Sequence, residues 1–346
     1  MANLFVRAYK YITRNTRLLL YSNRYYNWYV FSRSLSRRWN KTMLSHYTSD
    51  EMTPVEGRLK TVVFLCNGFV EHGGWADRLK GILSTFAVCK EQNIPFRLLF
   101  NSPFPLTDYL VPNGYNWTIP EQAVIYDTSC SDIVALEIGN ETDWQGKKQY
   151  KYLKKKITSS SARQVHVCTN AHFCYNRNFS SLFHELFRTA PRLQAAIDRC
   201  REQLKDDYVS VSARFINSLG DFIDTQKAPP LPPNLRQQLL QRCVQQVQNL
   251  HEQYPNSKIL VCSDSTTFLS AVRDFPYIYI YEGHILHFDT PSASADYALY
   301  EKTFVDFFLI AGASAVYRLE TRWIRQSGFP YAASQVFDRP FIPIKF

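Results

Sequence analysis

The chain has 346 residues, 45% hydrophobic and 20% charged, enough for about two ordinary domains with proper cores. Its net charge of +10 sits at the front. Residues 1–49 carry Arg7, Lys10, Arg14, Arg17, Arg24, Arg33, Arg37, Arg38 and Lys41 and no acid, which leaves 31 basic against 30 acidic residues behind them. That near-neutral body argues against the broad phosphate-tracking groove of a nucleic-acid enzyme, so no nucleic-acid partner is expected.

Cys66, Cys89, Cys130, Cys168, Cys174, Cys200, Cys243 and Cys262 are scattered without a C-x-x-C pair, and the histidine spacing suggests no zinc site. They read as small buried thiols. Arg7, Lys10, Arg14 and Arg17 interrupt any secretory apolar core, and no apolar run reaches the roughly 18–20 residues of a membrane span. The expectation is a reduced, cytoplasmic protein.

In chain order, the first element is a basic amphipathic arm over residues 1–58. Arg7, Lys10, Arg14 and Arg17 recur at helical spacing, with Phe5, Ala8, Ile12 and Leu19 opposite. Such a helix can lie on an anionic membrane through residues 1–49, or pack on the body with its basic face in solvent. From residue 61 short apolar runs alternate with helical patterns. Strands are expected at 61–67, 97–101, 165–170, 208–215, 258–264, 277–282 and 315–320. Helices are expected around Leu79, Ile82, Leu83 and Phe86, then at 178–205, 234–254, 267–274 and 296–311. This alternation predicts parallel sheets in an α/β chain. A seam near 195–207 divides a first domain, 59–203, from a second, 204–346.

Ligands of parallel sheets bind beyond the carboxyl ends of the strands. Four such ends carry polar clusters. In N-G-F-V-E-H-G-G-W-A-D-R, Gly73 and Gly74 open a helix where backbone can approach an anion, with Asp77 and Arg78 as ligand contacts or as a cap and a surface charge. In V-S-V-S-A-R-F, strand alternation puts Val209, Val211 and Ala213 on one face and Ser210, Ser212 and Arg214 on the other. A strand-end arginine suits phosphate oxygens or a structural ion pair. Ser263-Asp264-Ser265 ends an apolar strand, where Asp264 can accept from a base or ribose or the cluster can cap the next helix. Ser327 and Gly328 open a helix or form a turn.

Taken in this order, the clusters resemble the inverting fucosyltransferase superfamily, which includes protein O-fucosyltransferases, alpha-1,6-fucosyltransferases and nodulation fucosyltransferases. The resemblance spans about residues 60–346. G-G-W-A-D-R-L-K-G is similar to the family's donor-cleft motif. S-A-R-F puts Arg214 at the phosphate-gripping arginine of an H-x-R-R-type motif, with Ser212 and Phe215 where the family has His and Arg. Asp264 matches a nucleotide-contacting acid, Asp306 a recurrent acid and Ser327 a phosphate-binding serine.

The resemblance implies a GT-B arrangement, two Rossmann-like domains facing across a cleft. It also implies an inverting glycosyltransferase that needs neither metal nor cofactor. The donor is a GDP-sugar, GDP-fucose first, and the acceptor a glycan or lipid-linked glycan of surface polysaccharide synthesis at a bacterial inner membrane. The chain contains no D-x-D, so Arg214 and the amides at Ser327 are the expected stabilisers of the leaving diphosphate. Glu71 is the first candidate base, Asp221 the second and His72 a third. Another sugar nucleotide, or a noncatalytic nucleotide-binding relative, is the alternative.

Overall fold

The computed structural model describes residues 36–49, 60–136, 143–170, 179–205, 207–222, 229–286, 288–289 and 296–346. The amphipathic spacing expected over residues 5–19 lies outside them.

The first half is a parallel sheet of β1 (Thr61–Cys66), β2 (Phe96–Phe100), β4 (Ser131–Leu136) and β5 (Gln164–Thr169), in the order β2-β1-β5-β4. β1 is central, and Val62 to Cys66 are fully buried, as a strand covered on both faces requires. A small antiparallel pair, β3 (Leu110–Pro112) and β6 (Phe187–Thr189), stands beside it. Helices α1 (Trp75–Gln92), α2 (Asp143–Ser159), α3 (Phe179–Leu186) and α4 (Pro191–Leu204) complete this half. α1 presses so closely on β5 that a Cβ at Gly81 would stand 1.8 Å from the Thr169 carbonyl oxygen, so only glycine fits there.

The second half is a parallel sheet in the order β11-β10-β7-β8-β9. Its strands are β7 (Tyr208–Ala213), β8 (Lys258–Ser263), β9 (Ile278–Tyr279), β10 (Val316–Glu320) and β11 (Phe341–Lys345). The strand faces divide as alternation predicts. Val209, Val211 and Ala213 bury against Leu239, Cys243, Val247 and Leu250 of α5 (Pro233–Gln253). The opposite face of the sheet meets α7 (Tyr297–Gly312). Two short helices, α6 (Thr266–Val272) and α8 (Phe329–Val336), follow β8 and β10.

One apolar core runs through both halves and includes Phe64, Leu79 and Phe86 with Leu260, Phe304 and Phe307. α7 carries that continuity. Phe304 lies 5.1 Å from the Trp75 ring, and Tyr300 lies 4.5 Å from Phe104.

Residues 36–49 do not project as an arm. A helix at 36–44 buries Trp39 and Met43 against Val63, Leu65, Leu99, Ala135 and Cys168 on the outer face of the first sheet. Backbone bonds from Thr48 N–H to Tyr126 O (3.0 Å) and from Thr128 N–H to Thr48 O (3.0 Å) fasten the following loop. Arg37, Arg38 and Lys41 stay exposed, so in this stretch the packed and solvated-basic features coexist. The described cysteines Cys66, Cys89, Cys130, Cys168, Cys200, Cys243 and Cys262 are free and buried.

Candidate active site

The ends of β7 and β8 and the segments that follow β1 and β10 meet at a cavity of about 190 Å³ between the halves. The first half contributes Gly74, Trp75, Ala76 and Asp77 at the start of α1. The second half contributes Ser212 and Arg214 from the end of β7, Ser263 and Asp264 from the end of β8, and Ser327 and Gly328 at the start of α8. Segments more than a hundred residues apart in sequence thus meet in the crevice where parallel sheets take ligands.

Arg214 is half-buried in the wall, directly after β7. Asp264 is its neighbour in charge. Burial raises the Asp264 carboxyl to about 6, against hydrogen bonds from Phe215 and Ile216 and the positive charge of Arg214. Its oxygens accept the Phe215 N–H (2.7 Å) and the Ile216 N–H (2.8 Å). Ile216 has φ +56°, a left-handed turn that the carboxylate holds in place. Asp264 therefore fixes the loop carrying Arg214 while it also stands in the cavity wall. Ser263 Oγ donates to Ala213 O (2.9 Å) and ties β8 to β7.

Ser265 and Asp221 are not in the cavity wall. Ser265 caps α6, its Oγ accepting the Phe268 N–H (3.1 Å) and donating to Asp221 Oδ2 (2.7 Å). The same oxygen accepts the Thr267 N–H at 2.7 Å. Burial opposes the Asp221 charge, but the bonds from Thr267 and Ser265 hold its carboxyl below the usual range. A carboxylate engaged in this way is a helix anchor and a poor proton acceptor.

On the opposite wall Gly73 adopts φ +86°, and a Cβ there would stand 2.7 Å from Asp77 Oδ2. Asp77 pairs with Lys80 at 2.8 Å. Arg78 is buried and does not line the cavity. Its Nε donates to Gly73 O (3.0 Å), Nη1 to Ser102 O (2.9 Å) and Nη2 to Asp289 Oδ1 (2.7 Å). Asp289 Oδ2 accepts the Gly73 N–H at 2.6 Å, closing a ring between the halves. Glu71 is exposed and lies outside the wall. His72 is buried, and burial together with the Arg78 charge pushes its pKa down to about 3.

Sequence reasoning missed Lys302, His284, Phe222 and Phe288, all in the wall. Lys302 and Asp306 form a buried ion pair at 3.0 Å on α7, and Lys302 also donates to Tyr281 O. Burial raises the Asp306 carboxyl while Lys302 draws it down. The available signal was a Lys and an Asp four apart on a mostly apolar helix. Two buried oxygens in the wall, Ser212 Oγ and Asp306 Oδ1, have no hydrogen-bond partner among the described residues. Such groups are costly unless a ligand or water completes them. Among the described residues, no group of three or more His, Cys, Asp or Glu is arranged to hold a metal, and no helix is long and apolar enough to cross a membrane.

No protein-family model matches the chain, and no curated protein matches it. Solved structures do. NodZ alpha-1,6-fucosyltransferase soaked with GDP-fucose superposes with a TM-score of 0.51 at 14% identity, over 81% of this chain and 93% of that one. NodZ from Bradyrhizobium gives 0.50 at 13%, over 80% and 92%. A mutant of Arabidopsis thaliana FUT1 in complex with GDP gives 0.50 at 12%, over 88% and 73%. At these identities the likeness is one of architecture, and the chain has the GT-B fold of these fucosyltransferases.

Proposed function

We propose that the protein is an inverting, metal-independent glycosyltransferase that moves L-fucose from GDP-fucose onto a glycan hydroxyl, in the synthesis of a surface polysaccharide. The observation that carries this reading is a single interdomain cavity. It joins Arg214 at the end of β7 to Ser327 and Gly328 at the start of α8, with the unpaired oxygens of Ser212 and Asp306 in the same wall. Solved structures of the same fold hold GDP or GDP-fucose, which favours a GDP-sugar donor.

In the reaction the acceptor oxygen attacks the anomeric carbon, the carbon–oxygen bond to the diphosphate breaks, and GDP leaves with the bonding electrons. Arg214 and the amides at the start of α8 meet the negative charge that builds on the leaving group. The acceptor proton goes to a carboxylate on the opposite side of the sugar. Asp77 stands on the first-half wall, across from Arg214's wall, and takes this role in place of exposed Glu71 and of Asp221, which anchors α6. Residues 1–49 supply contact with an anionic membrane surface, to which exposed Arg37, Arg38 and Lys41 contribute.

Replacing Arg214 with Ala removes an electrostatic contact worth about 3–4 kcal/mol in the transition state, so GDP release from GDP-fucose falls at least about a hundredfold in a folded protein. Near-normal turnover of the folded variant defeats the assignment. A thermal-shift panel of sugar nucleotides tests the donor: stabilisation by UDP compounds and not by GDP overturns it. Donor binding without turnover on any acceptor favours the noncatalytic alternative.

A further inference from the structure

Arg318 is a charged, largely buried side chain that the mechanism above does not use. It sits on β10 beside Ser212 of β7, its register partner. Its Nε donates to Glu320 Oε1 (2.9 Å), and Nη2 pairs with the same oxygen. Nη1 reaches out of the strand to the carbonyl oxygen of Ser327, at 2.6 Å. Gln326 Nε2 donates to the other Glu320 oxygen at 3.3 Å, and the Phe341 ring lies 5.0 Å from the guanidinium carbon. The Arg318 and Glu320 side chains are 13% and 7% exposed, so the fork has little freedom to turn.

We propose that Arg318 is a positioning residue that aims the Gly328 N–H at the leaving diphosphate, an inference that rests on the donor reading above. In a trans peptide the C=O and the following N–H point in opposite directions. Pinning Ser327 O to the β10 fork turns the Gly328 N–H away from the strand, and both residues line the cavity. Gly328 gives a second indication. Its φ of −76° and ψ of −13° suit any residue, and a Cβ there would meet nothing within 4 Å among the described residues. Neither conformation nor packing among the described residues calls for glycine at this place. Close approach by something outside the chain does, and an anion drawn to a helix start fits that space.

The test is an equilibrium titration with GDP and with guanosine. The variants are Arg318→Lys, which cannot hold Glu320 and Ser327 in one planar fork, and the neutralised pair Arg318→Met/Glu320→Gln, which leaves no buried charge behind. In each folded variant GDP affinity falls about tenfold while guanosine affinity holds, because one aimed amide on a charged group is lost. Gly328→Ala, which its backbone angles permit, weakens GDP in the same selective way. Unchanged GDP affinity in the variants, or equal losses for GDP and guanosine, overturns the inference and leaves the donor reading standing. A wild-type protein that binds GDP no better than guanosine removes the donor reading and this inference together.

Discussion

Asp289→Ala cuts the ring that joins the two halves at the Gly73 turn. The carboxylate holds Arg78 at 2.7 Å and the Gly73 N–H at 2.6 Å, and the two side chains are 5% and 8% exposed. Removing it leaves the Arg78 guanidinium buried without its counter-charge, which costs roughly 4 kcal/mol. The Gly73 N–H loses its acceptor as well, adding about 1 kcal/mol where water cannot reach it. Arg78→Met strips the same ring from the other side and also ends the contacts to Gly73 O and Ser102 O. Urea unfolding of the two single variants and the double gives the coupling directly. The double variant is expected to cost about 2 kcal/mol less than the two singles combined. Additive losses, or an Asp289→Ala loss under about 1 kcal/mol, would show that the ring carries no shared energy and refute the reasoning.

Two further outcomes concern charge. The folded Asp264 carboxyl is raised to about 6 from an ordinary 3.8, so its ionisation opposes folding. The penalty, about 3 kcal/mol, is absent below the ordinary value, grows as pH rises toward 6, and is complete above it. An anionic diphosphate beside Asp264 favours the protonated form further, so GDP binding tightens as pH falls through 6 and takes up protons. Calorimetry in buffers of different ionisation heat measures this, and a proton count of zero in wild type, or one unaltered in Asp264→Asn, contradicts it. For the membrane contact, deleting residues 1–35 removes six of the nine cations, weakens binding to anionic vesicles and spares GDP binding. Vesicle binding undiminished by the deletion would place the contact elsewhere. The cut stops at 35 because Trp39 and Met43 belong to a core.

Much of the scaffold was legible because parallel strands announce themselves. The continuous apolar runs at β1 and β8 mark strands covered on both faces, and the face split at Ser210 and Ser212 follows from period two. β11 was not legible: F-I-P-I-K is short, and Pro343 reads as a loop until the edge of the sheet gives it a place. The site was legible where a polar residue ends an apolar strand, as Arg214 and Ser263 do. It failed where one side chain type serves two ends. Asp221 and Ser265 look like ligand contacts in sequence, yet the unpaired amides at the start of α6 claim them. Arg78 looks like a first-turn contact, but three backbone and side-chain acceptors surround it once the halves meet. Lys302 and Asp306 already stand one turn apart on α7, but Tyr281 O joins them only when α7 packs on the second half, and that part was hidden.

α7 has a consequence for anyone who would recombine this protein. The strand lists divide between residues 189 and 208, and a chimera cut there would look natural on paper. Yet residues 297–312, encoded with the second half, carry Tyr300 and Phe304 into the aromatic cluster of the first, against Phe104 and Trp75. A graft that exchanges the second half must bring a matching partner for that helix, or it will deliver a foreign plug into a socket shaped for this one.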